Sequence, residues 1–316
     1  MIQTQTSAML LGALVADAAS LGLHWLYDPD RIAKIAAERG GTAVFAPVDA
    51  AFFNNVKGYF AHGTRHAGML TQYGETLYLA MRCMIDRGRV FDAAAQRTAF
   101  AAHFGPGGAY QGYIDRPTRG ALERIAADQA PTGIDDDQNP ALSRLPAIVA
   151  AYRDAPDLAD HALAAMQITN VNDIATGYTA VFSNLLCRVL NGTPLSDALV
   201  AAADGTTGDI QTALRDALTT SEGDTTDYAG QVGRACHLPT SGPVMFHILR
   251  HATSYADAVE RNILAGGDSA GRSLMIGAAM GAEHGIATPK GIPLDWVLAL
   301  TDGAAIWGAC RALGRD

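Results

Sequence analysis

The residues best placed to do chemistry stand in two polar segments set within apolar sequence. The first, His62-Gly-Thr-Arg-His66-Ala-Gly-Met-Leu-Thr71-Gln-Tyr73-Gly-Glu75-Thr76, brings imidazoles, hydroxyls, a phenol and a carboxylate to the entrance of the apolar stretch Leu77–Ile85. The second, Ile263-Leu-Ala-Gly-Gly-Asp268-Ser269-Ala-Gly-Arg272, turns on two glycines into a small-residue helix and sets a carboxylate at its start. A carboxylate beside the unpaired N–H groups of a helix N-terminus makes a site for a cation or a charged ligand, and it is equally an ordinary N-cap. Glu75, at the head of the Leu77–Ile85 helix, has the same two readings. The density of Thr, Gln, Tyr and Glu before a buried helix also fits the rim of a pocket.

Three further clusters carry weaker signals. Asp17 lies in the apolar run Leu14-Val-Ala-Asp17-Ala-Ala19, and burying a lone carboxylate costs several kcal/mol, so a partner is expected, an arginine or backbone amides before a metal. Asp135-Asp136-Asp137 lacks the alternating spacing of a calcium loop and reads as a solvated loop or a cap cluster. His62 with His66 and His247 with His251 each stand four apart. Gly63 weakens the first pair as a helical zinc site, and no glutamate follows His247 to complete a metalloprotease motif.

The elements that must position these groups are helical. Leu77, Ala80, Met81, Met84 and Ile85 fall on one helix face, and similar stripes run through Leu10–Leu21 and Leu274–Ala282. Alternating strand-like patterns are scarce, so one all-α domain spanning residues 1–316 is expected. Breaks are placed at Phe104–Gly108, Pro131–Pro140, Gly205–Gly208 and Leu238–Pro243. Gly12 and Ala16 in one helix, and Gly277, Gly281 and Gly285 in another, form rows that let backbones approach closely.

Composition narrows the function classes. A net charge of −9 with 23 basic residues offers no field for a phosphate backbone, so nucleic acid is a poor partner. The run from Ser7 to Tyr27 is apolar, but no Lys or Arg precedes Arg31, and Asp17 and His24 interrupt it. It reads as a buried helix, not a signal peptide or a membrane span. Cys83, Cys187, Cys236 and Cys310 form no Cys-x-x-Cys pair and read as reduced thiols of a cytoplasmic protein.

The order of these clusters resembles the ADP-ribosylglycohydrolase family, which includes lens-crystallin members, over nearly the whole chain. Gly12-Ala-Leu-Val-Ala-Asp17-Ala is similar to the family's opening G-A-x-x-G-D-A-L-G. Gly266-Gly267-Asp268-Ser269, with Gly277-Ala278 and Gly281-Ala282, is similar to its G-G-D-T-D-T helix and G-A-x-x-G-A. Asn139 through Arg144 and Ile148 echo its N-G-x-x-x-R segment. The resemblance implies a compact helical bundle and two Mg²⁺ ions held between a T-D-D-T motif and the G-G-D-T-D-T motif, with ADP-ribose as ligand.

Set against T-D-D-T, Tyr73-Gly74-Glu75-Thr76 keeps one carboxylate and one hydroxyl. In the second motif Asp268 and Ser269 remain, while Ala270 and Gly271 replace an aspartate and a threonine. Glu75, Asp268 and Ser269 are therefore the only metal ligands carried over. They are expected to hold Mg²⁺ weakly at most, since Mg²⁺ prefers an octahedral oxygen set. Arg272 is expected to fill the space of a lost ion and pair with Glu75 or Asp268.

Two classes of function follow. One is hydrolysis of a glycosidic bond to ribose in a small-molecule or ADP-ribosylated substrate, with Glu75, Asp268 and His66 catalytic and His24, His62, Thr71, Tyr73, Thr76 and Arg272 binding the substrate. The other is a ligand-binding or structural, crystallin-like protein without the two-metal centre. The retained polar crowding tilts the balance toward the hydrolase, because unused buried polar groups are costly. The inherited chemistry and a rewired version of it both require the Glu75-bearing loop and the Asp268 turn to converge on one cavity.

Overall fold

The computed structural model describes residues 4–221 and 223–314. Among them the chain forms sixteen α-helices: α1 (Gln5–Ser20), α2 (Pro29–Glu38), α3 (Gln72–Ile85), α4 (Ala93–Phe104), α5 (Arg116–Ala126), α6 (Leu145–Tyr152), α7 (Leu158–Met166), α8 (Asp173–Leu190), α9 (Leu195–Asp204), α10 (Gly208–Thr219), α11 (Thr225–Val232), α12 (Leu238–His251), α13 (Tyr255–Leu264), α14 (Ser269–His284), α15 (Leu294–Leu298) and α16 (Gly303–Leu313). Extended pairing among the described residues is limited to isolated bridges such as Leu26 with Gly58. The fold is all-α, and one continuous buried core runs from Ala8 to Leu313.

The centre of that core is the pair α1 and α14, and the small-residue rows explain it. A Cβ on Gly12 would strike the Gly277 carbonyl, one on Gly277 would strike that of Gly12, and one on Gly281 would strike that of Ala8. Only glycine permits this approach, and it sets the two helices antiparallel. The Tyr255 hydroxyl donates to the Gly12 carbonyl at 2.6 Å, drawing α13 onto the pair. Gln5–Leu23 is long and apolar enough to cross a membrane, yet residues 6–23 are buried inside the fold. Because the helices run antiparallel, the end of α1 lies beside the start of α14. The 3₁₀ turn Leu21–Leu23 then delivers His24 and Trp25 to the Gly266-Gly267-Asp268 turn.

Much of the Asp and Thr content is consumed by capping: Thr4, Asp28, Thr71, Asp92, Asp115, Asp224 and Asp268 each accept from an N–H in the first turn of the following helix. One expected break is absent. Leu238–Pro243 opens α12, because Pro239 occupies the first turn, where no N–H partner is needed.

Candidate functional site

The Asp268 turn is held by its glycines. Gly266 and Gly267 have φ of +74° and +70°, and a side chain on Gly267 would collide with the Arg234 carbonyl. Gly267 N–H donates to Leu26 O at 2.7 Å, and Trp25 N–H donates to Gly267 O at 2.8 Å, so the two loops are locked together. Trp25 itself sits at φ +64°. Left-handed backbone at a bulky residue is uncommon and is held here by the reciprocal pair.

Asp268 caps α14 and is also the hub of a buried network. Its Oδ1 accepts from His24 Nε2 at 2.7 Å and Gly271 N at 3.1 Å; its Oδ2 accepts from Asn139 Nδ2 at 2.8 Å and Tyr73 Oη at 3.2 Å. Burial alone would raise its pKa, but the hydrogen bonds from His24 and Asn139 and the Arg272 charge together hold it below the usual carboxylate range. Asn139 is in turn fixed by Ser241 Oγ, which donates to its Oδ1 at 2.7 Å. From His24 the network runs outward, with His24 Nδ1 2.7 Å from His62 Nε2. The remaining nitrogen of His62, Nδ1, is buried and has no partner in the fold.

His24, His62 and Tyr73 of this network line a cleft of about 10 Å³, room for a single water, together with Trp25, Thr71, Gln72, Tyr113 and Asp115. The rings of Trp25 and Tyr113 close it edge to face at 4.9 Å, with Tyr59 against both. Asp115 caps α5, exchanges hydrogen bonds with the Gln72 amide and is pushed up to about 6 by burial. Its only sequence signal was the capping pattern Asp-x-Pro; Gln72 was marked only as part of the polar density before α3, and nothing marked Tyr113.

His62 and Tyr73 of the first polar segment join the Asp268 network, but the Glu75 side chain does not. Tyr73 and Glu75 are two residues apart on α3, about 200° around the helix. Tyr73 therefore faces Asp268, while Glu75 pairs with Arg65 at 2.5 Å and His103 at 3.1 Å in a separate recess. His66 is exposed beside Thr301, and Thr76 is buried with its hydroxyl returned to the Gln72 carbonyl. None of the three reaches the cleft. Thr71 does, but its hydroxyl caps Tyr73 N–H and donates to Asp17. Asp17 receives Thr71 N–H as well, so its partner is the head of α3; burial raises it to about 7. Gly74 makes this possible, since a Cβ there would collide with the Asp17 carboxylate.

The pairing expected of Arg272 is not made. Its guanidinium binds Asn262 Oδ1, Asn262 O and Gly266 O, clamping the end of α13 and the glycine turn, and it forms no ion pair with Glu75 or Asp268. Its buried charge acts on Asp268 at a distance. This clamp had no signal in the sequence beyond the arginine itself.

The residues do not fit a two-Mg²⁺ centre. From the head of α3, Tyr73 reaches Asp268 with a phenol and Gln72 turns its amide to Asp115, so neither brings a second carboxylate beside Asp268. Both Asp268 oxygens are occupied by N–H and O–H donors. A side chain on Gly271 would collide with Asp268 and Asn139. Glu75 is committed elsewhere, Ser269 is a buried hydroxyl without a partner, and the described residues contain no group of three or more His, Cys, Asp or Glu suited to a metal.

Comparison with known proteins addresses the origin of this arrangement. The family model described as ADP-ribosylglycohydrolase matches residues 2–316. The chain belongs to the ADP-ribosylglycohydrolase family. Crystallin J1B of Tripedalia cystophora is 24% identical over 313 residues, covering 94% of this chain and 92% of that protein. Crystallin J1A of the same animal is 23% identical, with 96% and 94% covered. A solved structure titled "ADP-ribosylglycohydrolase-related protein complex" superposes with a TM-score of 0.72 at 22% identity, covering 98% of each chain, which establishes the shared fold.

Proposed function

We propose that this chain is a metal-independent member of the family that binds a ribosylated or nucleoside-type ligand and hydrolyses its glycosidic bond with His62 as base. The observation that carries the reading is the chain of contacts from Asp268 through His24 to His62, ending on a buried nitrogen with no partner. With Asp268 ionised, His24 donates to it from Nε2, and His24 Nδ1 accepts from His62 Nε2–H. His62 Nδ1 is then left as a lone pair. Burial, His24 and Arg65 hold the His62 pKa well below the usual histidine range, so the ring is unprotonated at neutral pH.

A water that gives its proton to His62 Nδ1 charges this relay. The Nε2 proton of His62 passes to His24 Nδ1, and the resulting imidazolium lies against the Asp268 carboxylate. Asp115, in the wall of the same cleft, is the proton donor for the leaving group, its carboxyl raised by burial toward neutral pH. The faces of Trp25 and Tyr113 supply stacking surface for a sugar or base once they separate.

Calorimetric titration with ADP-ribose, in Mg²⁺ and in chelator, followed by turnover on ADP-ribosylated substrates, tests this. Equal affinity in both buffers and a loss of about 10²-fold or more in kcat for His62→Gln are expected. Binding that requires Mg²⁺, or the absence of any binding, overturns it. A second reading, a structural role like that named for the crystallin relatives, is favoured by the closure of the cleft to about 10 Å³. It predicts no binding in either buffer.

A further inference from the structure

On the far part of α12, away from the cleft, His247 and His251 stand four residues apart and so project from the same side of the helix. Their ring centroids are 4.5 Å apart with the planes inclined at 48°. His247 is fully buried. The Nε2 atoms of both rings are buried and have no hydrogen-bond partner. Two facing buried nitrogens without partners are unusual, because each unsatisfied group costs roughly 1–3 kcal/mol.

The surroundings prepare these nitrogens as ligands. His247 Nδ1 lies 3.4 Å from Thr225 Oγ1, and the Tyr228 ring stacks on His247 at 4.3 Å, inclined by only 8°. A proton on Nδ1 directed at Thr225 leaves the Nε2 lone pair free, which is how outer contacts orient histidine ligands in metal sites. Burial, with help from His251 and Arg261, lowers the His247 pKa to about 4, so proton competition at that nitrogen is weak at neutral pH. Arg261 is engaged by Asp257 at 2.8 Å. His251 is half-buried at the end of the helix.

We propose that His247 and His251 chelate one divalent transition-metal ion of the imidazole-preferring class through their Nε2 atoms, with water completing the coordination. Two imidazoles at this spacing on a helix suit Zn²⁺, Ni²⁺ or Cu²⁺ and exclude Mg²⁺ and Ca²⁺, which require oxygen. The site is independent of the cleft and of the hydrolytic reading.

The test uses the full chain without a polyhistidine tag, titrated calorimetrically with ZnCl₂, alongside His251→Ala and the cleft variant His62→Gln. One Zn²⁺ per chain is expected, weakened at least tenfold by His251→Ala and unchanged by His62→Gln. The melting temperature should rise with Zn²⁺ in the parent and not in His251→Ala. His251 is at the helix end and half-buried, so its removal spares the fold, which circular dichroism checks. With Cu²⁺ as probe, electron paramagnetic resonance should show two equivalent nitrogen couplings in the parent. No Zn²⁺ binding, or binding that His251→Ala leaves intact, overturns the proposal.

Discussion

Two carboxylates at the two polar segments end in opposite circumstances. Asp268 is wholly buried and satisfied by four donors from four different parts of the chain: His24, Tyr73, Asn139 and Gly271. Glu75 is partly exposed and held by the Arg65 guanidinium and the His103 imidazole. Both oxygens of the first are engaged by donors, and the nitrogen of its network left without a partner is His62 Nδ1. The second is an ion pair that steadies the outer side of α3. Motif likeness had put both in one metal centre; the helix between them turned them apart.

The largest expected effect lies at the hub. Asp268→Ala strands His24, Tyr73, Asn139 and the Gly271 N–H in a dry interior and should cost about 3–5 kcal/mol in urea unfolding. A loss under about 1 kcal/mol would mean the network is not a unit.

Next comes the pH dependence of Asp17. Its folded pKa, about 7, is raised above the ordinary aspartate value of 3.8, so its contribution to stability is full at low pH and falls as pH rises from about 4 to about 7. The parent should lose on the order of a few kcal/mol more across that window than Asp17→Asn, measured by denaturant melts at stepped pH. Parallel slopes for the two proteins would refute the assignment.

On the opposite side of α3, Glu75→Gln should destabilise by about 1–2 kcal/mol, since Arg65 keeps its bonds to the Leu70 carbonyl. It should leave ADP-ribose affinity unchanged; a large change in affinity would reunite the two carboxylates functionally. The smallest effect is that of Tyr73→Phe. It removes one 3.2 Å bond from an Asp268 that keeps three donors, and should cost about 1 kcal/mol in the same unfolding assay.

The helical architecture was legible because it rests on local periodicity and on small residues whose spacing forces close packing. Leu77–Ile85, Leu10–Leu21 and Leu274–Ala282 all lie in helices, and Gly12, Gly277 and Gly281 meet at backbone contact. Within the site, Asp268, His24, His62 and Tyr73 do come together. Glu75, His66 and Thr76 do not, because a motif written as consecutive letters hides the angle between neighbouring helical side chains. Asp115, Ser241, Tyr113 and the Arg272 clamp were silent, since each acquires its role from a partner or neighbour at least several residues away.

The amino-acid sequence by itself determined that this is a helical protein of the ADP-ribosylglycohydrolase kind with a depleted set of oxygen ligands, because periodicity, glycine rows and side-chain chemistry are properties of the chain read locally. Only the tertiary structure decided that Asp268 is closed off by hydrogen-bond donors, that Glu75 belongs to another recess, and that His62 carries the unpaired nitrogen. Those outcomes depend on the antiparallel register of α1 with α14 and on the rotation of α3, which no stretch of sequence specifies alone.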